Sequence, residues 1–441
     1  MSHSPVLTTS KQPAGIPGEL GRDRWYVLGV LTLVYALNIA DRYSISTLIE
    51  PIKAELKLSD SSVGFLTGVA LALFYVTVGI PIATLADRAN RRNIVAASLA
   101  LWSFMTAVCG LTQTYWQLLF ARIGVGVGEA GGTPPSTSII ADKFPAAQRP
   151  MAQTIFAIGA SLGAWLGSSF AGQIAEEFGW RAALIALGIP GLALAIVVWL
   201  TVREPVRGTL DQATMDSRPA SFSQTLRFIP TQRALVHLLV GGTIFTFWSW
   251  GLIWWTPSFL ARSHSMAVGA AGEALGPIHL LGGTATVLVT SWILMRRAAS
   301  DPRYVTRLVA IVTLAAAVPS LLAYWVDRTD VAIAMLWIFV PVLYLYIGPT
   351  LGLLQNLVPA GMRAQIVAVF VFTANIANLV VAPQLIGIVS DGLATSYGTE
   401  SLRYALILTA PTGLWAAYHY WTAARTIRED TARVTDRFSS V

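Results

Sequence analysis

The stretch Ala121–Pro135, ARIGVGVGEAGGTPP, decides how the chain is read. It lies inside an apolar run from about Tyr115 to Ile140, yet it carries Arg122 and Glu129. A charge at mid-bilayer costs about 2.5–3.5 kcal/mol on insertion scales, so a charge retained there marks a functional site first. Arg122 and Glu129 are 7 residues apart, nearly two helical turns, so they share one helix face. Gly126, Gly128 and Gly131 also spell G-x-G-x-x-G, the dinucleotide fingerprint. That fingerprint needs a preceding strand and a βαβ unit, and here the glycines sit in a hydrophobic span. The overlapping pairs Gly124/Gly128 and Gly128/Gly132 favour close helix packing instead.

The rest of the composition agrees with a membrane reading. Of 441 residues, 54% are hydrophobic and 12% charged, against about 25% charged in soluble domains. Long apolar runs and missing charge indicate a polytopic, all-α integral membrane protein. Cys109 is the single cysteine and sits in an apolar run, so no intrachain disulfide forms; it reads as a small buried hydrophobe. The net charge of +7 is mostly arginine. It falls in connections between spans, so the positive-inside rule explains it better than nucleic-acid binding. The first twenty residues are polar and lack a signal-peptide core, so the first apolar run is expected to stay as an anchor. No paired-histidine metal motif, C-x-x-C or Walker A sequence is present, and no metal or cofactor is expected.

Twelve spans are expected, near 25–49, 62–86, 93–112, 115–140, 151–175, 180–202, 234–260, 272–295, 304–326, 331–358, 364–390 and 402–424. The polar stretch 203–233 divides them into bundles 25–202 and 234–424, with tails 1–24 and 425–441. Within it, Ser221–Arg233 reads equally as a surface helix or a plain linker. Counted with the first four residues of the span that follows, the N-tail, even-numbered connections and C-tail hold 22 of the 30 Lys and Arg residues; the odd-numbered connections, counted likewise, hold 6. Both termini are therefore expected to be cytoplasmic. The remaining two are Arg42 and Arg122, inside spans. Two six-helix bundles about a basic loop suggest a transporter built from repeats, in the plasma membrane (the inner membrane of a bacterium).

The connection after span 2, ATLADRANRR, holds Asp87, Arg88, Arg91 and Arg92. It resembles the signature loop of the major facilitator superfamily, G-x-x-x-D-R-x-G-R-R, with Ala83 and Asn90 in place of its glycines. Arg122-x-x-x-Gly126 resembles the superfamily's span-4 motif, and Gly163 and Gly167 its glycine-rich span 5. Further marks narrow the resemblance to the Spinster family. They are Asn38-x-x-Asp41-Arg42, Asp60-Ser61-Ser62-x-Gly64, Asp87-Arg88-x-Asn90-Arg91, RIGVGVGEA, IIADKF…AQR, Trp254-Trp255-x-Pro257 and Met362-Arg363-Ala364. The N-terminal half carries nearly all of this specificity. The resemblance implies the major facilitator fold and transport of lysophospholipids or sphingosine-phosphate-like lipids, with protons as coupling ion. It also adds Asn38 to the candidate substrate-binding residues.

The charged residues can be placed independently. At 1.5 Å per residue, Asp41 and Arg42 lie about 10–13 Å below the outer end of span 1. Arg122 lies about 10 Å and Glu129 about 20 Å into span 4. Adjacent helix residues point about 100° apart, so Asp41 and Arg42 cannot both face one point. Arg42 and Arg122 suit an anionic headgroup, because the guanidinium fork donates two bonds at once. Asp41 and Glu129 suit proton sites, since burial favours the protonated carboxyl and a nearby arginine the ionised one. Formal charge cancels within the set, so two static ion pairs holding spans 1 and 4 together is the alternative. Asp87, with Arg88, Arg91 and Arg92, reads as a conformational latch or as a merely topogenic loop. Asn375, Asn378 and Gln384 in span 11 read first as packing residues. Phe245, Trp248, Trp250, Trp254 and Trp255 in span 7 suit packing or an interfacial belt at least as well as an acyl tail. Glu273 and His279 in span 8 read as satisfied structural residues.

The expected function is proton-coupled transport of a lysolipid-like anion by alternating access, in a monomer. A transporter for a small organic anion is the first alternative; a lipid-modifying membrane enzyme and a channel are the others.

Overall fold

The computed structural model describes residues 17–69, 77–78, 81–82, 85, 88–145, 148–206, 221–297 and 301–439, and their regular structure is helical. Helix α1 is Pro17–Thr47 and α2 is Ile49–Leu56. Helix α3, Asp60–Gly64, passes into a π segment at Phe65–Val69. Helix α4 is Arg91–Cys109, and Asn90 accepts from the Asn93 N–H at its N-cap. The asparagine standing in the signature loop is thus a capping residue.

Span 4 departs from the sequence expectation. In place of one run to residue 140, α5 ends at Glu129 and α6 covers Thr133–Lys143. Pro134 and Pro135 explain the break: each lacks an N–H and clashes with the carbonyl four residues earlier, at Ala130 and Gly131. Helix α7, Arg149–Trp165, continues through a π segment, Leu166–Phe170, into α8, Ala171–Thr201. Gly179 interrupts α8 with φ 84°, a conformation an L-residue rarely adopts. Ser221 and Gln224 form a capping box at α9, Phe222–Phe228, which settles that segment as a helix.

The second half runs as α10 Arg233–His264 and α11 Val268–Pro277, then a π segment at Ile278–Gly283 and α12 Thr284–Arg297. Helix α13 is Pro302–Trp325 and α14 Thr329–Phe339, whose chain tightens to 3₁₀ at Val340–Tyr344 before α15, Ile347–Asn356. Helix α16, Arg363–Asn375, enters a π segment at Ile376–Val381 and then α17, Ala382–Tyr397. Helices α18, Ser401–Thr409, and α19, Thr412–Ser439, close the chain. Helix α19 runs well past the expected span end at 424.

Seven helical stretches among the described residues are long and apolar enough to cross a membrane. Two are too long for one crossing: Arg149–Thr201 has 53 residues and Arg363–Val434 has 72. At 1.5 Å per residue even the shorter would reach about 80 Å, against a hydrocarbon core of about 30 Å. Gly179 and Pro411 interrupt the two runs.

Packing follows the two halves. Helix α1 lies on α7, and α4 on α5 and α8; α10 and α13 both lie on α19. Between halves, α11 meets α8 and its π segment, α17 meets α3, and the π segments of α3 and α16 meet each other. Small residues permit the tightest approaches. At Gly128 an added Cβ would lie 2.6 Å from the Trp102 backbone nitrogen, so α5 and α4 touch there backbone to backbone.

Candidate functional site

Helix α5 is started by a full capping box, Thr114 with Gln117, and ends at Glu129. Its seven-residue spacing delivers Arg122 and Glu129 to one face, opposite Asp41 and Arg42 of α1. Asp41 is met by Arg122 Nη1 at 2.6 Å, and Arg42 meets Glu129 Oε2 through Nε at 2.9 Å and Nη2 at 2.6 Å. The roughly 100° between neighbours on α1 explains this division: Asp41 turns into the bundle and Arg42 toward the end of α5.

Burial is nearly complete. Arg122 and Glu129 side chains are 0% exposed and Asp41 is 4% exposed, whereas Arg42 keeps 14%. Thr106 of α4 donates to Asp41 Oδ1 at 2.5 Å. Three polar atoms stay buried without a partner: Arg122 Nε, Arg122 Nη2 and Glu129 Oε1. Each such atom carries a desolvation cost of about 1–3 kcal/mol, more for charged groups. Asn38, one turn before Arg42 on α1, is buried with its Nδ2 also unpartnered. It lines a narrow crevice with Tyr35, Trp102, Ser136 and Phe156. All four charged residues, Asn38 and Thr106 belong to the first half.

The signature-loop residues sit elsewhere. Asp87 lies outside the described residues. Arg88 is exposed. Arg91 is buried and bonds Asp142 at 2.5 Å, Glu204 at 2.7 Å and Ser138 at 2.8 Å; the Arg92 N–H donates to Glu204. Burial lowers the Arg91 guanidinium, but Glu204 and Asp142 outweigh it and hold the group above its ordinary value. Arg91 therefore gathers α4, α6 and the end of α8 within one half. Lys143 and Asp23 pair at this same end.

The span-7 aromatics pack: Phe245, Trp248, Trp254 and Trp255 are buried, with Trp250 half-buried. Glu273 accepts from Gln173, and His279 Nδ1 lies 3.0 Å from the Tyr344 hydroxyl. Asn375, Asn378 and Gln384 are half-buried, with Asn378 Oδ1 and Gln384 Oε1 unpartnered.

A second charged cluster was not singled out from the sequence. Arg262, at the end of α10, bonds Asp60 through Nη1 at 2.7 Å and Nη2 at 2.6 Å, and Glu50 through Nε at 2.9 Å. Lys53 and Ser390 also donate to Asp60, each at 2.6 Å. Asp391 accepts from the Asp60 and Ser61 backbone N–H groups at the start of α3. Just inward, Trp254 Nε1 donates to Thr67 Oγ1 at 3.2 Å. This cluster joins the two halves at the end opposite Arg91. Its only sequence signal was the Asp60-Ser61-Ser62 motif and four charges at span ends, Glu50, Lys53, Arg262 and Asp391.

Comparison with known proteins places this arrangement. The model of the Major Facilitator Superfamily matches residues 31–382. An MFS-type efflux pump of Mycolicibacterium smegmatis is 32% identical over 417 residues, 93% of this chain and 94% of the pump. The Danio rerio sphingosine-1-phosphate transporter SPNS2 is 28% identical over 409 residues, 86% of this chain and 80% of that protein. A crystal structure of a bacterial homolog of the human lysosomal transporter Spinster, inward-facing and unoccupied, superposes with TM-score 0.80. It is 28% identical and covers 95% of this chain and 99% of that one. The chain belongs to the Major Facilitator Superfamily, is similar to Spinster proteins, and is a multi-pass membrane transporter.

Proposed function

We propose that this superfamily member moves an amphipathic anion of lysophospholipid or sphingosine-phosphate type, coupled to protons, by alternating access. The observation that carries the reading is the buried quartet Asp41, Arg42, Arg122 and Glu129, with two arginine nitrogens and one carboxylate oxygen left unpaired. A purely static set would satisfy its atoms; this one keeps capacity for a ligand and a proton. Arg42, the least buried member, meets the headgroup, with Arg122 and Asn38 behind it. An anion that engages Arg42 strips Glu129 of its partner, and a buried carboxylate so stripped is stabilised by a proton. Asp41 plays the same part against Arg122. Anion binding and proton binding are then linked, and linkage is reciprocal.

The topology that accompanies this reading has twelve spans, bundles 25–202 and 234–424, and both termini cytoplasmic, which puts the Asp60 cluster on the outer face. The ties across that face then make the structure inward-facing. Asp87, with Arg88, Arg91 and Arg92, latches the opposite face in the outward-facing state. The protein works as a monomer. Cysteines at Thr114 and Gly398 should label from outside intact cells and one at Ser217 only from inside. Labelling of Ser217 from outside overturns the topology.

The functional test is uptake and counterflow in proteoliposomes with lysophosphatidic acid, sphingosine phosphate and a small dicarboxylate, with and without an imposed pH gradient. Accumulation of either lipid driven by the gradient is expected. Accumulation of the dicarboxylate alone assigns the protein to small organic anions and overturns the lipid reading. Export is the second reading for direction, favoured by the M. smegmatis pump.

A further inference from the structure

His279 lies where four features converge. It is 1% exposed, inside the π segment of the second half's α11–α12 run. Its Nδ1 lies 3.0 Å from the hydroxyl of Tyr344, the last residue of a 3₁₀ segment. Two helices thus leave regular α geometry where these side chains meet, as helices often do at functional positions. Its ring stands edge-on to Tyr43 of α1, centroids 4.7 Å apart at 70°. Tyr43 in turn is 6.0 Å from Trp250 of α10. Tyr43 is the one ring of this cluster from the first half, and it is the neighbour of Arg42.

Tyr43 and Arg42 are adjacent on α1, so a shift of the α1 backbone that follows the Tyr43 ring carries Arg42 with it. The ring is wedged by second-half side chains, whereas the Asp41–Arg122 and Arg42–Glu129 pairs are formed within the first half. The Tyr43–His279 contact is therefore a route by which the position of the second half reaches the charge pairs. We propose that His279 is a positioning residue: through Tyr43 it sets Arg42 against Glu129, and so ties the pairing within the quartet to closure between the halves. The proposal rests on the transport reading above and extends it from the quartet to the half that contributes no charge to it.

His279→Leu removes the ring edge and the polar contact at similar volume; His279→Phe keeps a ring edge against Tyr43. In proteoliposomes loaded with lysophosphatidic acid, His279→Leu should lower pH-gradient-driven accumulation about tenfold, the upper range for one aromatic pair. Exchange at equal pH should fall less than about twofold, and His279→Phe should recover much of the loss. Tyr43→Leu, which also loses the Trp250 contact, should be at least as defective, and the double variant should be no worse than Tyr43→Leu, because the Tyr43–His279 contact is already broken there. Equal loss of exchange and accumulation, or additive losses in the double variant, overturns the proposal. A substrate-free arm separates it from the transport reading. Spin labels at Lys57→Cys and Thr399→Cys, on the two halves at the Asp60 end, should show a broader and longer distance distribution in His279→Leu. If wild type accumulates no probe, the transport reading fails and the spin labels decide the positioning role. A wild-type distribution in His279→Leu overturns the proposal.

Discussion

The quartet and the Asp60 cluster use the same chemistry to opposite ends. Both set carboxylates against arginines in largely buried surroundings. In the Asp60 cluster both carboxylate oxygens and three arginine nitrogens are engaged, and all of these bonds but that of Lys53 run between halves. In the quartet two arginine nitrogens and one carboxylate oxygen stay unpaired, and the Asp41–Arg122 and Arg42–Glu129 bonds stay within one half. A saturated cluster across an interface holds two bodies in one relation. An unsaturated cluster inside one body keeps hydrogen-bonding capacity in reserve. On the proposed reading the first is a lock and the second a site.

The comparison breaks most visibly at Asp41. Asp41→Ala strands a fully buried Arg122, and removing one partner of a buried pair costs about 3–5 kcal/mol. Thermal unfolding in detergent should show that loss. Replacing both members, Asp41→Leu with Arg122→Met, should return most of the stability and none of the transport. Recovered transport in the double variant would reduce the quartet to a structural pair. Asp41→Asn, near-isosteric with the protonated acid, should keep exchange and lose accumulation driven by a pH gradient; Glu129→Gln should show a milder form.

The lock is tested next. Asp60→Asn or Arg262→Met removes charged hydrogen bonds worth about 1.5–3 kcal/mol each in favourable cases, a population shift of roughly 10- to 100-fold. Spin labels on Lys57→Cys and Thr399→Cys should report a gain of the open Asp60 end, with folding intact. An unchanged distribution would mean that apolar packing alone closes this end.

The two clusters should also differ in pH response. Burial pushes the Asp60 carboxyl up, but Arg262, Lys53 and Ser390 outweigh burial and hold it well below the ordinary carboxylate range. A carboxylate lowered in the closed state favours closure above its free value, near 4. That contribution is lost only as pH falls through the lowered value. Between about pH 5 and 8 the lock should therefore be flat, and any pH dependence of transport in that window should vanish in Asp41→Asn rather than in Asp60→Asn.

The class of protein was legible because hydropathy needs only local sequence. So were the quartet members, since a charge in an apolar run stands out at once. Their pairing was not: the partners are 81 and 87 residues apart, and a rotation of one residue on α1 exchanges them. Thr106 carries no charge to announce it. The lock joins Asp60 to residues 202 and 331 positions away, all at span ends where charge is ordinary. Pro134 and Pro135 marked the break after Glu129, yet apolar Ile139 and Ile140 extended the run past it. The π segments have no composition of their own; they become visible only where helices of two halves meet. His279 read as a structural residue because its partners come from distant spans.

The smallest expected effect sharpens the distinction most. Glu55 and Arg181 also pair at the Asp60 end, at 2.5 Å, with Trp180 Nε1 donating to Glu55. The Arg181 and Trp180 bonds lower the Glu55 carboxyl, as Arg262 lowers that of Asp60. Chemistry and location are thus nearly matched to the lock. Two things differ: the Arg181 and Glu55 side chains are 31% and 49% exposed, and both residues belong to the first half. Exposed pairs contribute little because water already screens them, and a bond inside one half cannot report on the other. Glu55→Gln should leave the distance distribution across the Asp60 end unchanged and move accumulation within about twofold. If it opens that end as Asp60→Asn does, charge at the rim rather than bonding between the halves governs closure, and the lock would have to be reassigned to the whole acidic and basic rim.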